Sequence, residues 1–115
     1  MDVPLPIITL VVKKTQMLGK TVALTVRARE NRWVTVTGSA SVRGTSRRYE
    51  LKAVKDRFVA GGSERTFKLA LPGRARQAIR QALRQGGQVK ATLTVDARDA
   101  AGNRSTRERT IRIKH

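Results

Sequence analysis

The chain has 115 residues, enough for one domain, and is 39% hydrophobic with only one Trp, one Tyr and two Phe, so its core must be built from Val, Ile, Leu and Ala. There is no cysteine, which excludes disulfides and thiolate metal sites; the single histidine, His115, is the last residue, which removes the imidazole that common catalytic and metal-binding constellations need. Twenty-five Lys and Arg against eight Asp and Glu give a formal charge of +17, with Arg outnumbering Lys by 17 to 8, an excess that attracts polyanions over a Debye length of about 8–10 Å.

The N-terminal "MDVPLPIITLVV" is apolar in part, but it has no basic leading region and no small-residue cleavage site. Asp2, Pro4 and Pro6 also argue against a signal peptide. Residues 1–6 read as an N-terminal extension and 7–114 as a single domain. If the protein is exported, its signal is missing from this chain, or the chain is a segment of something longer. No run of about 18 apolar residues exists, so no membrane insertion is expected.

From there the chain reads mostly with period two. The segment "IITLVVK" is the least regular and suits an edge strand or a bulged one. "KTVALTVRAR" places Val22, Leu24, Val26 and Ala28 on one face, with Thr21, Thr25, Arg27 and Arg29 on the other. "VTVTGSASV" alternates Val34, Val36, Gly38, Ala40 and Val42 against small hydroxyl residues. "RRYELKAV" sets Tyr49, Leu51 and Ala53 opposite Arg48, Glu50 and Lys52, and "RTFKLAL" buries Phe67, Leu69 and Leu71. "LPGRARQAIRQALRQGG" breaks the rhythm. Pro72 suits a helix start, Gly86 and Gly87 suit a stop, and Ala75, Ile79, Ala82 and Leu83 form a narrow apolar stripe. A short amphipathic helix over about 73–85 would cross from one sheet to the other. "VKATLTVDAR" then points Val89, Ala91, Leu93, Val95 and Ala97 inward, and "TRERTIRIKH" closes with Ile111 and Ile113 inward.

Seven strands, each half buried and half wet, predict an all-β antiparallel sandwich of immunoglobulin-like type with one crossover helix. The segment "VTVTGSASV" and the block "LALPGRARQAIRQALRQGGQVKATLTVDARDAAGNRSTRERTIRIK" resemble the bacterial immunoglobulin-like repeat domains of secreted and cell-surface proteins. In that family a basic helix follows an "LxLP" strand, and a "DAAGN" hairpin leads into a last strand ending "TIxLK". The resemblance spans roughly residues 7 to 114 and is densest from Phe67 onward. Many relatives carry a cysteine pair around the position of "RARENRW", where this chain has Ala28 and Arg32, so their disulfide is not implied here. What the resemblance implies is a structural or interaction module, secreted or on the cell surface, with no catalytic residues to carry across.

Four features invite a functional reading. "DARDAAGN" holds Asp96 and Asp99, with Glu108 opposite on the next strand. Ca²⁺ wants six to eight oxygens, and Arg98, Arg104, Arg107 and Arg109 surround these acids. A turn is the simpler account, with Asp99 accepting backbone N–H bonds, Gly102 at positive φ and Asn103 tolerant of the left-handed region. The helix carries Arg76, Arg80 and Arg84 at i, i+4, i+8 with Arg74 nearby. That stripe could grip phosphates or an acidic polymer, against the plainer reading of a solvated face without the interleaved aromatics of single-strand binders. Trp33 faces away from Val34 and Val36; a cap on the open end of the core is preferred to a contact with sugar or a neighbouring domain. The irregular first strand opens a route to self-association through a sheet edge.

No nucleophile elbow, P-loop or dinucleotide fingerprint is present, so neither an enzyme nor a cofactor is expected. The expected function is a non-catalytic module for spacing, adhesion or assembly, whose partners are neighbouring domains or protein subunits. The alternative is a polyanion-binding module for nucleic acid or an acidic cell-wall polymer, using the arginine-rich helix.

Overall fold

In the computed structural model, which describes residues 8–115, the alternating segments become strands. The expected N-terminal extension, and Ile7 after it, lie outside the described residues. In chain order the elements are β1 (Ile8–Val11), β2 (Thr15–Met17), β3 (Thr21–Ala28), β4 (Arg32–Val42), β5 (Arg48–Glu50), β6 (Val54–Val59), β7 (Ser63–Ala70), α1 (Gly73–Arg84), β8 (Val89–Arg98) and β9 (Arg104–Lys114). They form a three-stranded sheet, β1-β3-β7, and a six-stranded sheet, β2-β9-β8-β4-β5, with β6 also pairing β4. The fold is mostly β with antiparallel sheets and one helix, as the periodicity predicts.

The strand count is corrected from seven to nine among the described residues. The two unpredicted strands share a cause. β2 has no buried residue and β6 buries only Val59, so neither shows the apolar alternation by which a strand is read from sequence. Backbone pairing creates them instead: β6 lies along β4 from Arg32 to Val36, and β2 runs parallel to β9 from Arg112 to Lys114. That parallel pair makes the larger sheet mixed. The first strand is an edge strand, as one reading had it, while the register shift falls between β4 and β6 at Val34/Val36.

Inward residues of both sheets meet in one core, including Leu24, Val26 and Leu69 from the smaller sheet and Val34, Val36, Leu93, Val95 and Ile111 from the larger. Each such side chain contributes about 1.5–3 kcal/mol on burial. Gly38 sits where packing leaves no room for a side chain: a Cβ there would lie 2.8 Å from a methyl of Leu93, its partner on β8, and 3.4 Å from a methyl of Leu69 on the facing sheet. Phe67 is buried, but Tyr49, expected in the core, is only half buried, because β5 ends at Glu50 and the chain departs toward β7 through the Lys52 N–H to Ala70 C=O bond.

Helix α1 joins β7 of one sheet to β8 of the other, close to its expected 73–85 span. Pro72 precedes its first turn, and Ala75 and Ile79 are buried while Ala82 and Leu83 are half buried. The helix ends as its two glycines require. Gly86 takes φ +79°, its N–H bonds the Leu83 carbonyl, and the Gly87 N–H bonds the Ala82 carbonyl, the paired geometry of a Schellman stop.

Candidate functional site

The β8–β9 connection is organised by one carboxylate. Asp99 Oδ1 accepts the Ala101 N–H at 3.0 Å and the Asn103 N–H at 2.9 Å, and Oδ2 accepts the Asn103 side-chain N–H at 3.0 Å. The Asp99 N–H donates to the Asn103 carbonyl, the Gly102 N–H donates to the Asp99 carbonyl, and Gly102 takes φ +87°. Asn103 is not in the left-handed region, the only non-glycine residue there among those described being Asp56; its contribution is the side-chain bond to Asp99. These bonds, first that from the Asn103 side chain and then that from its backbone, hold the Asp99 carboxyl below its ordinary value of 3.8.

The other acids do not gather around Asp99. Asp96 pairs across the ladder with Thr106, and its Oδ2 lies 4.0 Å from Arg104. Glu108 sits opposite Thr94, one further rung along the same face. No group of three or more His, Cys, Asp or Glu side chains converges among the described residues. All three hydrogen bonds to the Asp99 carboxylate are made within the turn.

Beside this turn lies a residue that sequence reasoning passed over. Arg32 shares the inward parity of Val34 and Val36 and is 8% exposed, closing the end of the core that Trp33 had been expected to cap. Its Nη1 donates to the Asn31 carbonyl, Nη2 reaches Glu30 at 3.4 Å, and Nε is buried without a partner. Its charge also favours the ionised form of Asp99. Asn31 in turn accepts the Gly61 N–H, so three connections are tied together at this pole. The alternation of β4 contained the signal: extending it one step outward from Val34 puts residue 32 inside.

Trp33 therefore sits on the outer face of the larger sheet. It is opposite Phe58 on β6 and Arg98 on β8; its ring centroid is 5.4 Å from that of Phe58, and the Arg98 guanidinium lies 5.5 Å over it. Arg98 also reaches Asp56 at 3.6 Å. The ring is half buried, and the Phe58 beside it belongs to the strand the sequence did not reveal.

On α1, Arg74, Arg80 and Arg84 are exposed and Arg76 is half buried, its Nε enclosed without a partner. None of the four takes part in an ion pair among the described residues, whereas Arg98 and Arg104 on the sheet do. The four do not form one strip. At about 100° per residue, Arg76, Arg80 and Arg84 fall within about 80° of one another, while Arg74 flanks the buried stripe on its other side.

No family model matches the chain, and no curated protein matches it at a significant level. No helix among the described residues is long and apolar enough to cross a membrane.

Proposed function

We infer that the chain is a non-catalytic immunoglobulin-like sandwich module of a secreted or cell-surface protein, serving spacing, adhesion or assembly through contacts with neighbouring domains or subunits. The observation that carries this reading is the division of strands. β1-β3-β7 against β9-β8-β4 has the partition of the A, B, E and G, F, C strands of immunoglobulin-like domains. The "DAAGN" hairpin and the basic helix between β7 and β8 support the likeness to bacterial repeats of that class. β2, β5 and β6 are additions to that frame.

One observation favours a second reading, polyanion binding: the exposed helix arginines have no carboxylate partner among the described residues. A charge of +17 will hold the protein on heparin or DNA to some degree wherever the charges sit, with retention falling steeply in salt. The decisive comparison is between two triple reversals, Arg76, Arg80 and Arg84→Glu against the exposed Lys52, Lys55 and Lys68→Glu. A module with diffuse charge loses the same elution salt in both. Selective loss in the helix triple transfers the function to the helix and replaces the first reading.

A further inference from the structure

The larger sheet has an edge that nothing among the described residues covers. β9 runs from Arg104 to Lys114 with β8 along one side as far as Ile113, but on the other side β2 pairs only with Arg112 to Lys114. The Arg112 N–H donates to the Lys14 carbonyl and the Lys114 carbonyl accepts the Leu18 N–H. Because alternate residues of a strand direct their backbone groups to opposite sides, Thr106, Glu108 and Thr110 also present N–H and C=O outward, with no strand among the described residues to meet them. The clearest mark of the missing neighbour is Arg109, whose Nη1 donates to the outward Glu108 carbonyl at 2.9 Å. A side chain takes the place of an incoming N–H.

Other edges are obstructed. β6 carries the register shift and has Asp56 at φ 49°. β7 is bridged at one end by Arg65 to the Phe58 carbonyl and at the other by Lys52 to Ala70. β1 is only four residues long. Bulges, kinks and brevity are among the ways edges are made unreceptive, and the first seven residues of β9 have none of them; the device they do carry is charge, Arg104, Arg107 and Arg109 with Glu108, which turns away cationic strands and not acidic ones.

On the core-facing side of the sheet the charge beside this edge is one-sided, Glu108 and Asp96 lying on the outer face. Arg107 and Arg109 stand opposite the buried Val95 and Leu93, so they share the core-facing side of the sheet, yet both are exposed because the narrower sheet does not reach over them. Where β1 leaves its sheet and β2 begins, an open groove of about 510 Å³ continues the edge, with Leu10, Val12 and Ile111 as apolar lining. The charged residues around it are Lys14, Lys90, Arg109 and Arg112, and no acid among the described residues lines it.

From this arrangement we propose that β9 takes up an extended acidic segment of a partner protein by strand addition along Arg104–Thr110, with an apolar side chain of that segment in the groove. The incoming N–H replaces Arg109 on the Glu108 carbonyl, and the released guanidinium pairs with a carboxylate of the segment. Backbone bonds supply affinity and the cations select acidity. A second copy of this chain is a poor occupant, because it brings the same cationic excess to the edge: antiparallel pairing centred on Arg107 sets that side chain against its own copy, and pairing centred on Glu108 sets Arg107 against Arg109 and Glu108 against itself. This inference rests on reading the chain as an interaction module and names the surface and partner chemistry of that module.

The test uses the full chain and a fluorescent, N-acetylated eight-residue peptide of alternating Glu and Val, followed by anisotropy. Glu108→Pro removes one outward N–H without touching the β8 ladder, and it makes the edge more positive. The expected result is peptide binding that falls at least tenfold in Glu108→Pro, with thermal unfolding otherwise intact. A peptide N-methylated at alternate residues, tested on the unaltered protein, is expected to bind at least tenfold more weakly, which keeps the question answerable if the proline variant fails to fold. Absence of peptide binding, or equal binding of the N-methylated peptide, overturns strand addition. Full displacement of the peptide by oligothymidylate from native and Glu108→Pro protein alike also overturns it in favour of diffuse polyanion attraction. A negative peptide result without helix-selective heparin loss leaves the module reading standing and removes only this edge.

Discussion

The two halves of β9 belong to one strand and share one neighbour, yet they live in different environments. Toward its end the strand gains β2 as a second neighbour, so that Arg112 and Ile113 are paired on both sides, and Ile111 and Ile113 are buried at 1% and 3% exposure. From Arg104 to Thr110 it is paired on one side, and only Ser105 is as much as half buried. The first half stabilises the sandwich; the second is held in extended form by β8 and the Asp99 turn while its outward groups stay available. Stability and receptiveness are thus separated along a single strand, and each can be altered without the other.

The largest expected effect lies in the buried half. Ile111→Ala should cost about 2–5 kcal/mol of unfolding free energy in urea, as large-to-small core changes do. Arg107→Ala and Arg109→Ala should each stay within about 0.5 kcal/mol, as for surface positions; equal losses in the two halves would erase the distinction. A smaller effect is expected at the turn that launches the open half. Because the Asp99 carboxyl is held below its ordinary 3.8 in the folded state, its contribution is complete above that value and is lost as pH falls through the lowered one. Asn103→Ala should move the Asp99 titration back toward 3.8 by carboxyl NMR, and an unmoved titration would mean that the backbone bonds alone suffice. The finest test is amide hydrogen exchange. Thr106, Glu108 and Thr110 should exchange quickly and Arg107 and Arg109 slowly, an alternation that ends at Arg112, whose N–H is bonded to Lys14. Uniform protection across 104–110 would show the edge to be covered in solution.

Much of the fold was legible because burial imposes period two. Val22, Leu24 and Val26, and again Leu93, Val95 and Ala97, alternate because one face of each strand meets the core, and the helix announces itself by a change of period and by Gly86–Gly87. The Asp99 turn was legible in its principal residue, since an Asp followed by Gly and Asn has a local geometry to satisfy. What escaped were elements with no buried face. β2 and β6 carry no apolar alternation, so Phe58 had no visible strand and Trp33 no visible partner. Arg32 was missed for the opposite reason: a charged residue at a strand end is ordinarily taken as exposed, although the parity of β4 places it inside.

Sequence alone determined which segments alternate, where the helix begins and ends, that the core is aliphatic, and that the charge is overwhelmingly positive, because each of these follows from local pattern or plain counting. Only the tertiary structure decided which of the arginines are neutralised. Arg98 meets Asp56 and Arg104 approaches Asp96, while the helix arginines meet no acid among the described residues. It also decided that β9 overhangs a narrower sheet, and so that half of it presents backbone groups unpaired among the described residues. Edges are properties of how sheets end and overlap, and no single strand's sequence contains the length of its neighbour.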